Sequence, residues 1–188
     1  MASNDGGDLP ASQLPDSVLQ CVYSYWSRLR GGRAAPTRRE IDPVEMPRNV
    51  LPDLMLTEVL RAAGTRRYRY RVVGSRIVDL AGRDPTWEYL DTALPSAFGY
   101  RDYILGLYDT LADRCLALYS RSIYVTADTG GKPAREAHRL MLPVVDPDGT
   151  VTHVLAAQVF QVHRGTLQKP FLSADDVHYG QTCRVVDG

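Results

Sequence analysis

The sequence predicts an α+β fold: a five-stranded antiparallel sheet, helices covering one face, and an amphipathic helix ahead of it. Three observations lead there. Two long segments carry apolar residues at helical spacing, five short ones read as strands, and turn residues join the strands into a hairpin and a meander. The order helix, two strands, helices, three strands suits a hairpin, a helical crossover and a three-strand meander around one core.

The first helix carries the clearest signals. Val18, Leu19, Val22, Tyr25, Trp26 and Leu29 fall on one face at spacings of three and four. Asp16 suits the N-cap, and Gly31 suits the C-terminal stop. Arg28 and Arg30 lie in the last turn, where positive charge complements the helix dipole. An amphipathic helix must cover either its own sheet or a second subunit. Val18, Val22, Tyr25, Trp26 and Leu29 are therefore the candidates for a homodimer built on this helix. The preceding residues, 1–15, are small and acidic, lack the basic start and apolar stretch of a secretory signal, and read as a disordered lead-in.

A loop-rich segment follows, with Pro36, Pro43, Pro47 and Pro52. Thr37 and Glu40 have capping-box spacing, and Asp42-Pro43 reads as an N-cap with proline at the first helical position. Only single turns fit between these prolines.

Leu54–Leu60 and Tyr68–Val73 read as a hairpin closed through Gly64. In the second strand, Tyr68, Tyr70 and Val72 alternate with Arg69, Arg71 and Val73. Ser75 opens a short helix that Gly82 ends. A longer one runs from about Ala97 to Leu118, carrying Tyr100, Tyr103, Ile104, Leu107 and Leu111 on its apolar side. The closing strands are about Arg121–Ala127, Glu136–Val145 and Val151–His163. Gly130-Gly131 joins the first pair and Pro147-Asp148-Gly149 the second. The domain is thus expected over 16–164, and 165–188 is a tail without a convincing period.

Bulk properties narrow the function. Lys plus Arg and Asp plus Glu both total 22, which argues against nucleic-acid binding driven by overall charge. No apolar run reaches the length of about 18 residues that a membrane span needs. Cys21, Cys115 and Cys183 are widely spaced, and reduced thiols in a cytoplasmic protein are expected. Gly-x-Ser-x-Gly, a Walker loop and His-Glu-x-x-His are absent, so no enzyme is expected.

Several local motifs occur in a telling order. A Trp-containing helix ends in Leu29-Arg30-Gly31-Gly32. Next come Pro36, then Arg38 to Pro43, then Leu51-Pro52. Tyr68 to Gly74, Gly82-Arg83-Asp84 ahead of Thr86, and Leu140-Met141-Leu142-Pro143 before an Asp-Gly turn complete the set. Over about Val18 to Val162 this sequence resembles a PAS domain, in particular an alphaproteobacterial family of stand-alone PAS proteins. One position departs: the family pattern leads to glycine after Thr86, and Trp87 stands there.

The resemblance implies a sensor of small ligands, cofactors or redox state, often dimerising through its N-terminal helix. Haem is disfavoured, because PAS haem sensors hold iron from a histidine on the long helix and Ala97–Leu118 contains none. His138, His153 and His163 lie on strands and His178 in the tail. No His-x3–5-His pair is present, which also disfavours zinc. Cys115 lacks the Asn-Cys-Arg-Phe surroundings of a photoactive flavin site, although Arg114 beside it could lower its thiol pKa.

What remains is a shielded interior between helix and sheet. Tyr70, Val72, Tyr103, Leu107, Tyr124, Leu140, Leu142 and Gln158 are the candidate pocket residues, with packed aromatic core as the competing reading. Arg71 either holds a ligand's acid group there or pairs with an acid on the opposite face. The expected function is a sensory or signalling domain that binds a small organic molecule and acts through a partner protein. A ligand-free dimerisation or scaffold module is the alternative.

Overall fold

A computed structural model describes residues 8–94, 99–124, 135–162 and 179–187. In chain order it contains β1 (Leu9–Pro10), α1 (Ser17–Arg30), β2 (Leu54–Ala62), β3 (Thr65–Val73), α2 (Ser75–Ala81) and α3 (Leu90–Ala93). There follow α4 (Tyr100–Arg114), β4 (Leu118–Tyr124), β5 (Arg135–Val145), β6 (Val151–Val162) and β7 (Tyr179–Asp187).

Among the described residues the sheet has seven strands, not five, in the order β1-β7-β4-β5-β6-β2-β3. The five predicted strands form one continuous antiparallel block, β4 to β3. The two extra strands come from the segments read as lead-in and tail. β7 pairs antiparallel with β4, and β1 pairs parallel with β7, Leu9 opposite Val186.

Local signals explain the element ends. The Asp16 side chain accepts from Val18 N–H at 2.8 Å, and Gly31 ends α1 with φ of 55°. Glu40 accepts from both Thr37 N–H and the Thr37 hydroxyl, closing the capping box, and Asp42 caps the turn that starts at Pro43. The long helix stops earlier than its apolar spacing suggests. Cys115 turns into the left-handed region (φ 51°), its N–H closing on Leu111 O at 2.8 Å, so Leu118 opens β4 opposite Met141. The predicted helix start at Ala97 lies outside the described residues.

Trp87 keeps a backbone suited to glycine. Its φ is 75°, a conformation that costs an L side chain about 1–2 kcal/mol. Trp87 N–H donates to Tyr70 O at 2.8 Å, and Tyr70 N–H donates to Glu88 O at 3.0 Å. The turn holds segment 87–89 against β3 while the ring stays 59% exposed.

The sheet is covered on both faces. α1 packs on β5 and β6, with Leu19, Val22, Tyr25 and Trp26 buried and Trp26 Nε1 donating to Pro143 O at 2.7 Å. α4 packs on the same two strands. Successive residues of a strand point to opposite faces. Arg139 reaches Tyr100 of α4, while the adjacent His138 feels the charge of Asp16 at the start of α1. The two helices therefore sandwich β5. The apolar stripe of α1 covers its own sheet.

Candidate functional site

β5 lies between α1 and α4, so adjacent side chains enter two separate interiors. Toward α1 point Leu140, Leu142 and Val144, none of them accessible. Toward α4 points Arg139, which is only 6% exposed.

Arg139 is held from two sides. Its Nε donates to Oε1 of Gln158, the cross-strand neighbour on β6, at 2.6 Å. Its Nη2 donates to the Tyr100 hydroxyl at 3.2 Å. Nη1 is buried and has no hydrogen-bond partner, and among the described residues no carboxylate pairs with this guanidinium. An arginine stays charged at any ordinary pH. A buried charge of this kind normally has an acid beside it.

Hydroxyls surround it. Tyr70 from β3 and Tyr100 and Tyr108 from α4 are close enough to sense its charge. Tyr108 packs its ring 5.0 Å from that of Tyr68 and shares a 3.1 Å hydrogen bond with Thr57. Burial pushes the Tyr70 and Tyr108 phenols well above the usual tyrosine range. Both remain neutral and offer dipoles, not a countercharge.

The predicted pocket residues divide across this architecture. Tyr70 and Gln158 lie on the α4 side, Leu107 is on the buried stripe of α4, and Tyr103 is half-buried on the same helix. Leu140 and Leu142 are buried, but on the α1 side. Val72 is displaced by an irregularity in the β2–β3 pairing. Thr57 faces Tyr70 but Leu56 faces Val72, so Arg71 is an extra residue and the alternation slips. Val72 ends 47% exposed. Tyr124 pairs with Arg135 through its backbone, and its side chain lies outside the described residues. Arg71 pairs with Glu58 Oε2 at 3.3 Å and lies 4.2 Å over the Trp87 ring, so the opposite-face alternative holds.

Arg139 and Thr57 were missed by sequence reasoning. The available signal was positional: an arginine inside a strand whose two faces both meet apolar helices must be buried.

The other face offers a cavity of about 370 Å³ between α1 and the β4–β7 end of the sheet. Trp26, Arg30, Cys115, Ala117 and Val186 line it. Burial pushes the Cys115 thiol up, against the lowering expected from Arg114. No cluster of His, Cys, Asp or Glu among the described residues is placed to hold a metal ion. Nor is any described helix long and apolar enough to cross a membrane.

No curated protein matches the chain. A family model described as PAS domain matches residues 15–157, from the cap of α1 to the middle of β6. With the helix-covered antiparallel block and the β2–β3 hairpin in the same order, the chain belongs to the PAS domain family.

Proposed function

We propose that the chain is a sensory module that holds a small organic molecule between α4 and the sheet and passes the signal to a partner protein. One observation carries this reading: the interior under α4 holds a buried, incompletely paired guanidinium among neutral hydroxyls. A core selected for packing alone gains nothing from such a charge, since an apolar residue of similar volume is commonly as stable or more so. A binding site uses a few converging polar groups in an apolar wall to orient its ligand.

The signal on this reading leaves through α4, whose sheet-facing residues alternate between apolar packing and contacts to Arg139 and Thr57. The place of action is the cytoplasm, where Cys21 and Cys115 stay reduced. The scaffold alternative took its interface from Val18, Val22, Tyr25, Trp26 and Leu29, which pack against the core of their own chain.

Native mass spectrometry of freshly purified protein tests the reading. A retained small molecule, released on denaturation, is the expected result. Bare protein mass, together with no change in melting temperature across a broad metabolite panel, would remove it.

A further inference from the structure

We infer that Arg139 anchors the carboxylate of a small organic acid seated between α4 and the sheet. This rests on the reading of that interior as a ligand site and names the chemistry the site selects.

The guanidinium has a fixed planar fork. Two of its nitrogens are committed, Nε to Gln158 and Nη2 to Tyr100. These contacts fix the plane and leave the Nη1 edge as the donor without an acceptor. Every partner supplied by the described residues is neutral. Gln158 is an amide, and the Tyr70 and Tyr108 phenols stay protonated because burial disfavours their charged form. The missing element is one negative charge with an oxygen lone pair.

Charge balance selects the class. A carboxylate cancels the single guanidinium charge and leaves the interior neutral. A phosphate would bring a second negative charge into a region where the other cation felt by Tyr70, Arg83, is already paired with Glu88, and desolvating it would oppose binding. The rest of the molecule must be apolar or aromatic. Its walls would include Leu107 and Ile104 on α4, Met141 two residues along β5, and the ring of Tyr70.

Thermal denaturation and calorimetric titration of the full chain test the assignment. The probes are formate, hexanoate, benzoate and phenylacetate, each beside its uncharged amide. At least one acid is expected to raise the melting temperature and to bind about tenfold or more tightly than its amide, the factor a charge-assisted hydrogen bond supplies. Arg139→Met, which keeps the volume and removes the charge, is expected to abolish that difference. The same variant without probe is expected to melt no lower than the parent chain, because it removes an uncompensated charge.

Amides that bind as well as acids overturn the anchor while leaving a ligand site in place. A shift with none of the acids also overturns it, and the native mass spectrum then decides whether the ligand-site reading survives. A steep fall in the melting temperature of probe-free Arg139→Met overturns it as well, showing a guanidinium already satisfied within the chain.

Discussion

Two neighbours on β5 show how differently the two faces of this sheet are finished. His138 looks toward α1. Its Nδ1 lies 2.6 Å from the Tyr119 hydroxyl, and its Nε2 lies 2.9 Å from Glu136 Oε1, in attractive contact although out of line for a hydrogen bond. Glu136 is in turn neutralised by Arg121. Burial pushes the imidazole below its ordinary range, so the ring is neutral and the cluster closes as one ion pair plus two dipoles. Arg139, one residue on, has dipoles but no counterion among the described residues. The first face pairs its charge within the chain, and its open space is the separate cavity beside α1. The second leaves Nη1 of a buried guanidinium without an acceptor among the described residues.

The largest effect belongs to the α1 face. Trp26→Ala should cost about 4 kcal/mol in urea denaturation, from the lost ring and the orphaned Pro143 carbonyl. A cost below about 1 kcal/mol would break the contrast, since α1 would then contribute little to that face.

Leu142→Ala should cost about 3 kcal/mol, whereas Arg139→Met should leave the ligand-free protein unchanged or about 1–3 kcal/mol more stable. Equal losses at the two positions would erase the distinction between the faces. Tyr108→Phe should cost about 1 kcal/mol, because it strands the buried Thr57 hydroxyl. A neutral result would mean that the α4 side readmits water.

The smallest effect is a pH dependence. His138 and His153 both titrate below the ordinary histidine value of about 6.5, chiefly through burial. The unfolded chain takes up these protons first as pH falls. Stability should therefore drop from about pH 6.5 downward, toward the lowered folded values. Urea midpoints at pH 7.5 and 5 should show the fall, and His138→Gln should shrink it. An undiminished slope in that variant would assign the effect elsewhere.

Much of the frame was legible in the sequence because the decisive signals are local. Asp16, Gly31, the Thr37–Glu40 pair and Pro43 each fix an element end within a few residues. What stayed hidden depends on distant partners. β7 carries Gln181, Thr182 and Arg184, and without knowledge of β4 it has no pattern to distinguish it from a polar tail. Val72 fails because a single extra residue in β3 reverses the faces, an event set by pairing with β2 rather than by β3 itself. Leu140 and Leu142 looked like pocket walls because a strand buried on both sides gives no clue as to which residue meets which helix. The same ambiguity concealed Arg139.

The parallel pairing of Leu9 with Val186 stitches two remote stretches of chain along one rim of the molecule. A dye attached at β1 would sit beside one attached at the end of β7. Energy transfer between such labels would follow the docking of β7 directly. Trimming β7 away would uncover the hydrogen-bonding groups of β4 and invite another chain to take its place.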